Sequence, residues 1–388
     1  MANFTLTKPI GLPIYGVNTP ILNQNLVNTS IDRTQVQNRA VNYLADWGGC
    51  GHWRLVWPSS LINVYQHGMV DNHMCMVLDP NYYRDVKTIR IQRQVAPAHL
   101  EFVRFLRQVA DKNNIKLVYE IDDIHLREDI PLYNGSRDSF VSNEIRQSTE
   151  VIMKLCDEIS TVSEYMSNYF KEKLNHPKVT TIPNYIPKFW MDRFYSPEKI
   201  KNNYINFLNT KKPRVGIFSS STHFDYMLKN GGIDDYSHIT KHIIDTRHDI
   251  QWVIVGGKRR DWDPYINNGE IEYHKWTALQ DYPFTIDKLN LNLTVAAISN
   301  NHFCRAKSDL KIYESGSYGL PFIGQGLEPY KDSPLKFNTG DELIDQIVSL
   351  MMNESKYFEY SKQYRALAEG RWLENNLDQH LSLYQFKK

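Results

Sequence analysis

The chain has 388 residues, a length that predicts two domains, and its 41% hydrophobic content is enough for two ordinary cores. Lys and Arg (45) balance Asp and Glu (44); the net charge of +1 excludes a general pull toward nucleic acid or membrane, so any basic surface has to be local. Four cysteines, at 50, 75, 156 and 304, form no CxxC pair, which argues against a structural zinc site and a disulfide framework and for reduced thiols. No apolar stretch approaches the roughly 18 residues of a membrane span, and the amino terminus lacks a basic segment followed by an apolar run. These features predict a soluble cytoplasmic protein.

In chain order, residues 1–40 are polar, with Pro and Asn scattered through them, and predict an irregular arm. Short apolar runs then alternate with helical patterns, the signature of a parallel α/β architecture. Strands are predicted at 41–45, 74–78, 88–92, 116–121, 158–162 and 179–182. Helices are predicted between them at 54–65, 97–113, 139–155 and 164–174, with Pro97 suited to a first helical position. This block, 41–187, forms a first domain, and 188–212 reads as a linker carrying one helix. A second block, 213–371, repeats the pattern, with strands at 214–218, 251–255, 271–273, 293–298 and 322–324 and helices at 310–318, 341–352 and 355–371. A last segment, 372–388, follows. The expected fold class is α/β, with two doubly wound Rossmann-like domains facing a central cleft, where the carboxyl ends of both sheets would meet a ligand.

Candidate chemistry sits in the loops after these strands. "DWGGCGHW" places Gly48, Gly49, Gly51 and His52 between the first strand and a helix, where glycines let backbone approach a ligand and a helix start favours anions. Its spacing fits neither a GxGxxG fingerprint nor a P-loop, and a tight strand-to-helix turn is the simpler reading. "YEIDD" ends the fourth strand with Glu120, Asp122 and Asp123; alternation puts the first two on one face. Carboxylates there orient or deprotonate a hydroxyl, bind a divalent cation, or form an exposed acidic loop. "FSSSTH" brings His223 and hydroxyls to the start of the second block, suited to a diphosphate or a sugar. Gly256 and Gly257 follow the next strand and leave room for a base. Lys258, Arg259 and Arg260 after them read as a solvated turn. Finally "RAKSDLKIYESGSYGLPFI" carries Arg305, Lys307, Ser308, Lys311 and Glu314 on an expected helix, with the two lysines on one face; cations near a helix start suit a phosphate, and the carboxylate suits sugar hydroxyls. A solvated charged face is the competing reading.

Taken in order, these segments, with "TVSEYM" at 161–166, "TIPNYI" at 181–186 and "RWLENN" at 371–376, resemble the retaining, family-4-like nucleotide-sugar glycosyltransferases of the GT-B fold. The resemblance implies a first domain that receives the acceptor, a second that binds the donor nucleotide, and a terminal segment that crosses back. It assigns Lys307, Lys311, Ser308 and Arg305 to the donor diphosphate and Glu314, Gly256 and Gly257 to the nucleoside. Catalytic roles fall on Asp122, Asp123, His223 and Glu120, and a substrate contact on the glycine loop. The family's second Glu, eight residues before the first, is Ala306 here, which sets the donor sugar contacts apart. A UDP-sugar would be the donor, with no obligatory cofactor and no resident metal; a divalent cation is compatible.

Within that family the chain looks most like phage enzymes that attach arabinose or glucose to 5-hydroxymethylcytosine in DNA. A composition rich in Asn, Lys, Ile and Tyr, as AT-rich coding produces, agrees with that. Double-stranded phage DNA is then the expected acceptor and the host cytoplasm the expected location. A saccharide acceptor in surface polysaccharide synthesis, a GT-B-like sugar-nucleotide epimerase and a non-enzymatic nucleotide binder are the alternatives.

Overall fold

The computed structural model describes residues 38–125, 129–140 and 142–386. The expected arm 1–40 lies almost wholly outside them. The chain divides into two compact units.

Unit 1 comprises residues 38–122, 142–189 and 373–386. Its strands β1 (Arg39–Tyr43), β2 (Met69–His73), β3 (Val86–Gln92), β4 (Lys116–Glu120), β5 (Glu158–Thr161) and β6 (Val179–Thr181) form one parallel sheet in the order 2-1-3-4-5-6. Ile89, Ile91, Leu117, Val118 and Tyr119 are buried, as strands covered on both faces require. Helices of eight residues or more are numbered here: α1 (Trp57–Val64), α2 (Pro97–Asn113), α3 (Asn143–Leu155) and α4 (Glu164–Leu174) cover the sheet. Their ends follow local chemistry. Pro97 opens α2 and left-handed Asn114 closes it, while the Ser163 hydroxyl caps α4 by accepting the Met166 N–H.

Three expectations are corrected in this unit. The strand expected at 74–78 is Met69–His73 instead, and Met74 and Leu78 are 48% and 64% exposed. The polar residues Asp71, Asn72 and His73 hide this strand from an apolar-run search, but Asp71 is buried in an ion pair with Arg39. The helix expected at 54–65 starts earlier, with a turn at Gly49–Gly51 and a π turn at His52–Val56 leading into α1. Residues 123–125 and 129–140, expected in the first domain, group with the second unit, to which Asp123 and Tyr133 are tied by side-chain bonds. The chain end packs in unit 1: Glu374 accepts the Lys188 and Phe189 N–H groups, and Tyr384 bonds Asn42 and Arg90.

Unit 2 comprises residues 123–125, 129–140 and 190–372. Strands β7 (Arg214–Ser219), β8 (Gln251–Gly256), β9 (Glu272–His274), β10 (Leu293–Ala296), β11 (Phe322–Gln325) and β12 (Leu335–Phe337) form a second parallel sheet ordered 12-11-10-7-8-9. Counted from its first strand this is the 3-2-1-4-5-6 pattern read in reverse, with the order switching between β7 and β10. Helices α5 (Pro197–Thr210), α6 (Ser237–Asp245), α7 (Leu310–Ser317), α8 (Gly340–Met351) and α9 (Glu354–Gly370) surround it. Helix α5 lies in the stretch 188–212 and packs on this unit, Asn203 donating to the Leu291 carbonyl and Tyr204 to that of Met351. Trp252, Val253, Ile254 and Trp262 lie at the centre of the core.

Candidate functional site

Crevices beyond the carboxyl ends of strands at a switch in strand order are where open α/β sheets hold ligands. In unit 2 that place is the end of β7 and β10. After Ser219 the chain turns through Ser221–His223, and His223 is buried with Nδ1 2.6 Å from Asp235 Oδ2. The other oxygen of Asp235 accepts the Tyr133 hydroxyl at 2.5 Å, the Ser299 N–H at 2.8 Å and the Cys304 thiol at 3.1 Å. Burial works against charge on Asp235, but the bonds from His223, Tyr133 and Ser299 outweigh it and bring its pKa down to about 2. His223 is held below its ordinary value by burial and then by the positive Lys307, with Asp235 opposing.

The start of α7 supplies the rest. Lys307 and Ser308 precede the helix, so the expected helical i, i+4 face shared by the two lysines is not formed; the turn at 306–309 brings Lys307 in instead. Lys311 and Glu314 are on α7. Lys311 donates to the Phe218 carbonyl at the end of β7, and Lys307 lies 3.4 Å from Asp123 and over the Phe303 ring. Burial disfavours charge on Lys307, but Asp123, Cys304 and Asp235 together keep its pKa above the ordinary value. Lys311 goes the other way, lowered by burial and by Lys307 although Glu314 opposes. Burial pushes Glu314 up to about 7 against the pull of Lys311, and its carboxylate makes no hydrogen bond among the described residues. Ser308 uses its hydroxyl to accept the Leu310 N–H, and Arg305 pairs with Glu328 at 2.8 Å. Ala306 is fully buried.

The glycines after β8 allow a close approach. Gly256 has φ +97°, and a Cβ there would stand 2.5 Å from the Ser219 carbonyl oxygen and 2.7 Å from the Trp276 ring, which is itself 62% exposed. The Gly257 N–H donates to the Ser219 carbonyl at 2.7 Å, tying β8's end to β7's. Of the three cations that follow, Arg259 is not solvated: it is buried against Asp234 and Asp261.

The remaining expected residues belong to unit 1. Glu120 is fully buried, one oxygen accepting from Arg54 at 2.6 Å and the other from Arg90. Arg54 also donates to the Ile182 and Thr161 carbonyls and to Asn184. This corrects the catalytic expectation for Glu120: a carboxylate that joins two buried guanidiniums holds the sheet together and has no oxygen for a substrate. Asp122 lies 3.5 Å from Arg93, which also pairs with Asp46. In the glycine loop the Gly48 N–H bonds Asp46 at 2.7 Å, and the His52 ring contacts the Gly48 carbonyl at 2.9 Å. A Cβ on Gly51 would meet the Asp46 carbonyl oxygen at 2.1 Å, so Gly51 is a packing glycine. Trp53 and Trp57 are buried in edge-to-face contact with each other, as packing residues are. Among the described residues no group of three or more His, Cys, Asp or Glu side chains is placed to hold a metal, and no helix is long and apolar enough to cross a membrane.

The structure brings the expected residues His223, Lys307 and Lys311 near one another, with Glu314 beside Lys311, and surrounds His223 with Asp235, Tyr133, Ser299 and Cys304, which the sequence reading did not single out. Asp235 sits in "GGIDDY", and the doubled carboxylate after two glycines is the one signal that could have marked it.

Two Rossmann-like units, each built on a six-stranded parallel sheet, define the GT-B class of fold. No protein-family model and no curated protein matches the chain. Solved structures do. A glycosyltransferase from Rickettsia africae superposes with a TM-score of 0.60 at 11% identity, over 90% of this chain and 98% of that one. HepE from Anabaena, solved with UDP, gives 0.53 at 10% identity over 89% and 98%. A TarM variant from S. aureus, solved with fondaparinux, α-GlcNAc-glycerol and UDP, gives 0.50 at 11% identity over 79% and 58%. At such identities the likeness is one of fold.

Proposed function

We propose that the protein is a glycosyltransferase that moves a sugar from a UDP-sugar to an acceptor hydroxyl with retention. The observation that carries this is the gathering of Lys307, Lys311, His223 and Glu314 where the strand order of unit 2 switches, in a fold shared with HepE, which was solved with UDP and with UDP-glucose. Lys307 and Lys311 hold the diphosphate and stabilise the charge it gains as the sugar leaves; loss of one such group typically costs about 10²–10³ in turnover. Glu314, ionised, accepts the ribose hydroxyls. Arg305 and Ser308 border the diphosphate, and Gly256 and Gly257 leave space for the base. Asp123, beside Lys307, and Asp122 are the groups for orienting the acceptor hydroxyl or taking its proton. The glycine loop at Gly48, Gly49, Gly51 and His52 contributes to unit 1's substrate surface.

For the acceptor we propose the hydroxymethyl group of 5-hydroxymethylcytosine in phage DNA, with arabinose or glucose as the sugar and the host cytoplasm as the location. The sequence resemblance and the composition support this. A base in duplex DNA has to be flipped out before its hydroxyl reaches the donor. The test is the mass of hydroxymethylated and plain duplex after incubation with a panel of UDP-sugars. Only the hydroxymethylated duplex should gain one sugar per modified base, and its binding should weaken by about 0.9 log units per log unit of salt for each contacted phosphate. If neither duplex gains mass, the DNA reading fails. A saccharide acceptor is then favoured by the comparison with TarM, which was solved with carbohydrate ligands.

A further inference from the structure

Asp235 is 1% exposed, and its two oxygens are divided between two tasks. Oδ1 accepts three hydrogen bonds, from the Tyr133 hydroxyl, the Ser299 N–H and the Cys304 thiol; Oδ2 accepts one, from His223 Nδ1. The three bonds on Oδ1 lock the carboxylate in place and in its ionised form, and the fourth keeps a proton on Nδ1. The imidazole is then left with Nε2. That nitrogen makes no hydrogen bond among the described residues, although His223 is only 8% exposed. A fixed ring nitrogen left open on an otherwise buried imidazole, with two lysines acting on the same ring, points to a ligand.

The charged and titratable groups acting on the imidazole are Asp235 from the loop before α6 and Lys307 and Lys311 at the start of α7. Behind Asp235 stand Tyr133 and Cys304, both kept neutral by burial; Asp123 lies beside Lys307, and Glu314 acts on Lys311. In the ligand-free protein, burial and the lysines keep His223 neutral, so Nε2 presents a lone pair. A lone pair facing an anionic oxygen is repulsive. A diphosphate between the lysines reverses the balance, since it cancels their charge and rewards an N–H with a charge-assisted bond.

We propose that Asp235, braced by Tyr133, Ser299 and Cys304, is a positioning residue that makes His223 a proton-coupled phosphate ligand, neutral when the site is empty and taking up a proton at Nε2 when the donor diphosphate binds. This rests on the donor-site reading above.

The experiment is calorimetric titration of the full chain with UDP at pH 8 in three buffers of different protonation enthalpy. At that pH Glu314, with its pKa near 7, and the terminal phosphate of UDP, with a second pKa of about 6, are mostly ionised already, and the His223→Gln titration measures whatever they or Lys311 contribute. The observed enthalpy should vary linearly with buffer enthalpy, with a slope of at least half a proton taken up per UDP. Affinity should fall by up to tenfold per pH unit above pH 8. In His223→Gln the slope should vanish while UDP still binds, about tenfold more weakly. Asp235→Asn should cut the slope to less than half, and Tyr133→Phe, which spares the carboxylate, should keep most of it. Binding of UDP with the same enthalpy in every buffer, or proton uptake that persists in His223→Gln, would overturn the proposal and leave the donor-site reading standing. No binding of UDP at all would overturn both. If Asp235→Asn does not fold, the wild-type and His223→Gln titrations still decide.

Discussion

Replacing Glu314 by Gln should make unit 2 more stable and the protein a worse binder of UDP. Burial raises the Glu314 pKa from 4.5 to about 7, with Lys311 only partly offsetting it, so the folded state holds this proton more tightly than the unfolded chain does. The sign follows from linkage: stability from the protonated group is fully present below pH 4.5 and is lost as pH rises through 7. With each pH unit worth about 1.4 kcal/mol, the loss is at most about 3 kcal/mol, and less for a side chain that is only half-buried. Gln carries no such proton. Wild type should therefore lose up to about 3 kcal/mol relative to Glu314→Gln between pH 4.5 and 8, measured by urea unfolding followed through unit 2. At about 2–4 °C per kcal/mol for a unit of this size, the thermal midpoints of the two proteins should separate by several degrees over that range. The carboxylate that burial penalises is the one proposed to accept the ribose hydroxyls, and charge-assisted bonds of that kind contribute roughly 1.5–3 kcal/mol. UDP affinity at pH 8 should then fall about tenfold or more in the same variant, with weaker discrimination against a deoxyribose nucleotide. Parallel pH–stability curves would refute the burial argument, and unchanged UDP affinity would refute the ribose role.

Lys307→Ala and Lys311→Ala should each slow transfer by at least tenfold, because each loses a group that stabilises the departing diphosphate, while the thermal melt reads separately the loss of the Lys307–Asp123 pair and the Lys311–Phe218 bond; wild-type rates in both would remove them from the site. Glu120→Gln should destabilise unit 1 by about 3–5 kcal/mol by stranding the buried Arg54 and Arg90 charges, read by urea unfolding; a nearly unchanged midpoint would restore a functional reading of Glu120. Gly256→Ala should cost about 1–3 kcal/mol, from its left-handed φ and the contacts a Cβ would make with Ser219 and Trp276, and should shift Trp276 fluorescence. Asp123→Asn should slow transfer more than it weakens acceptor binding, as expected of a group acting in the reaction step, and a change in binding alone would assign it to the acceptor surface.

Much of the fold was legible in the sequence because parallel strands covered on both faces must be apolar throughout. Runs such as those of β4, β8 and β10 reveal themselves without any tertiary information. Proline at a helix start did the same for α2, where the fixed backbone angle decides the boundary. The edge strand β2 did not announce itself, since the burial of Asp71 depends on Arg39, a partner 32 residues away. The site divides along the same line. Lys307, Lys311 and Glu314 stand close together in the chain, so they could be grouped from sequence, although the helical i, i+4 face expected of the two lysines is not formed. Asp235 reaches its partners at 133, 223, 299 and 304 only because the strand order switches between β7 and β10 and brings those loops together. For Glu120, the sequence showed an acid at a strand end in the right place for chemistry. Whether that acid faces a substrate or two buried arginines depends on which side chains fill the space around it, and that is settled by packing across the whole sheet.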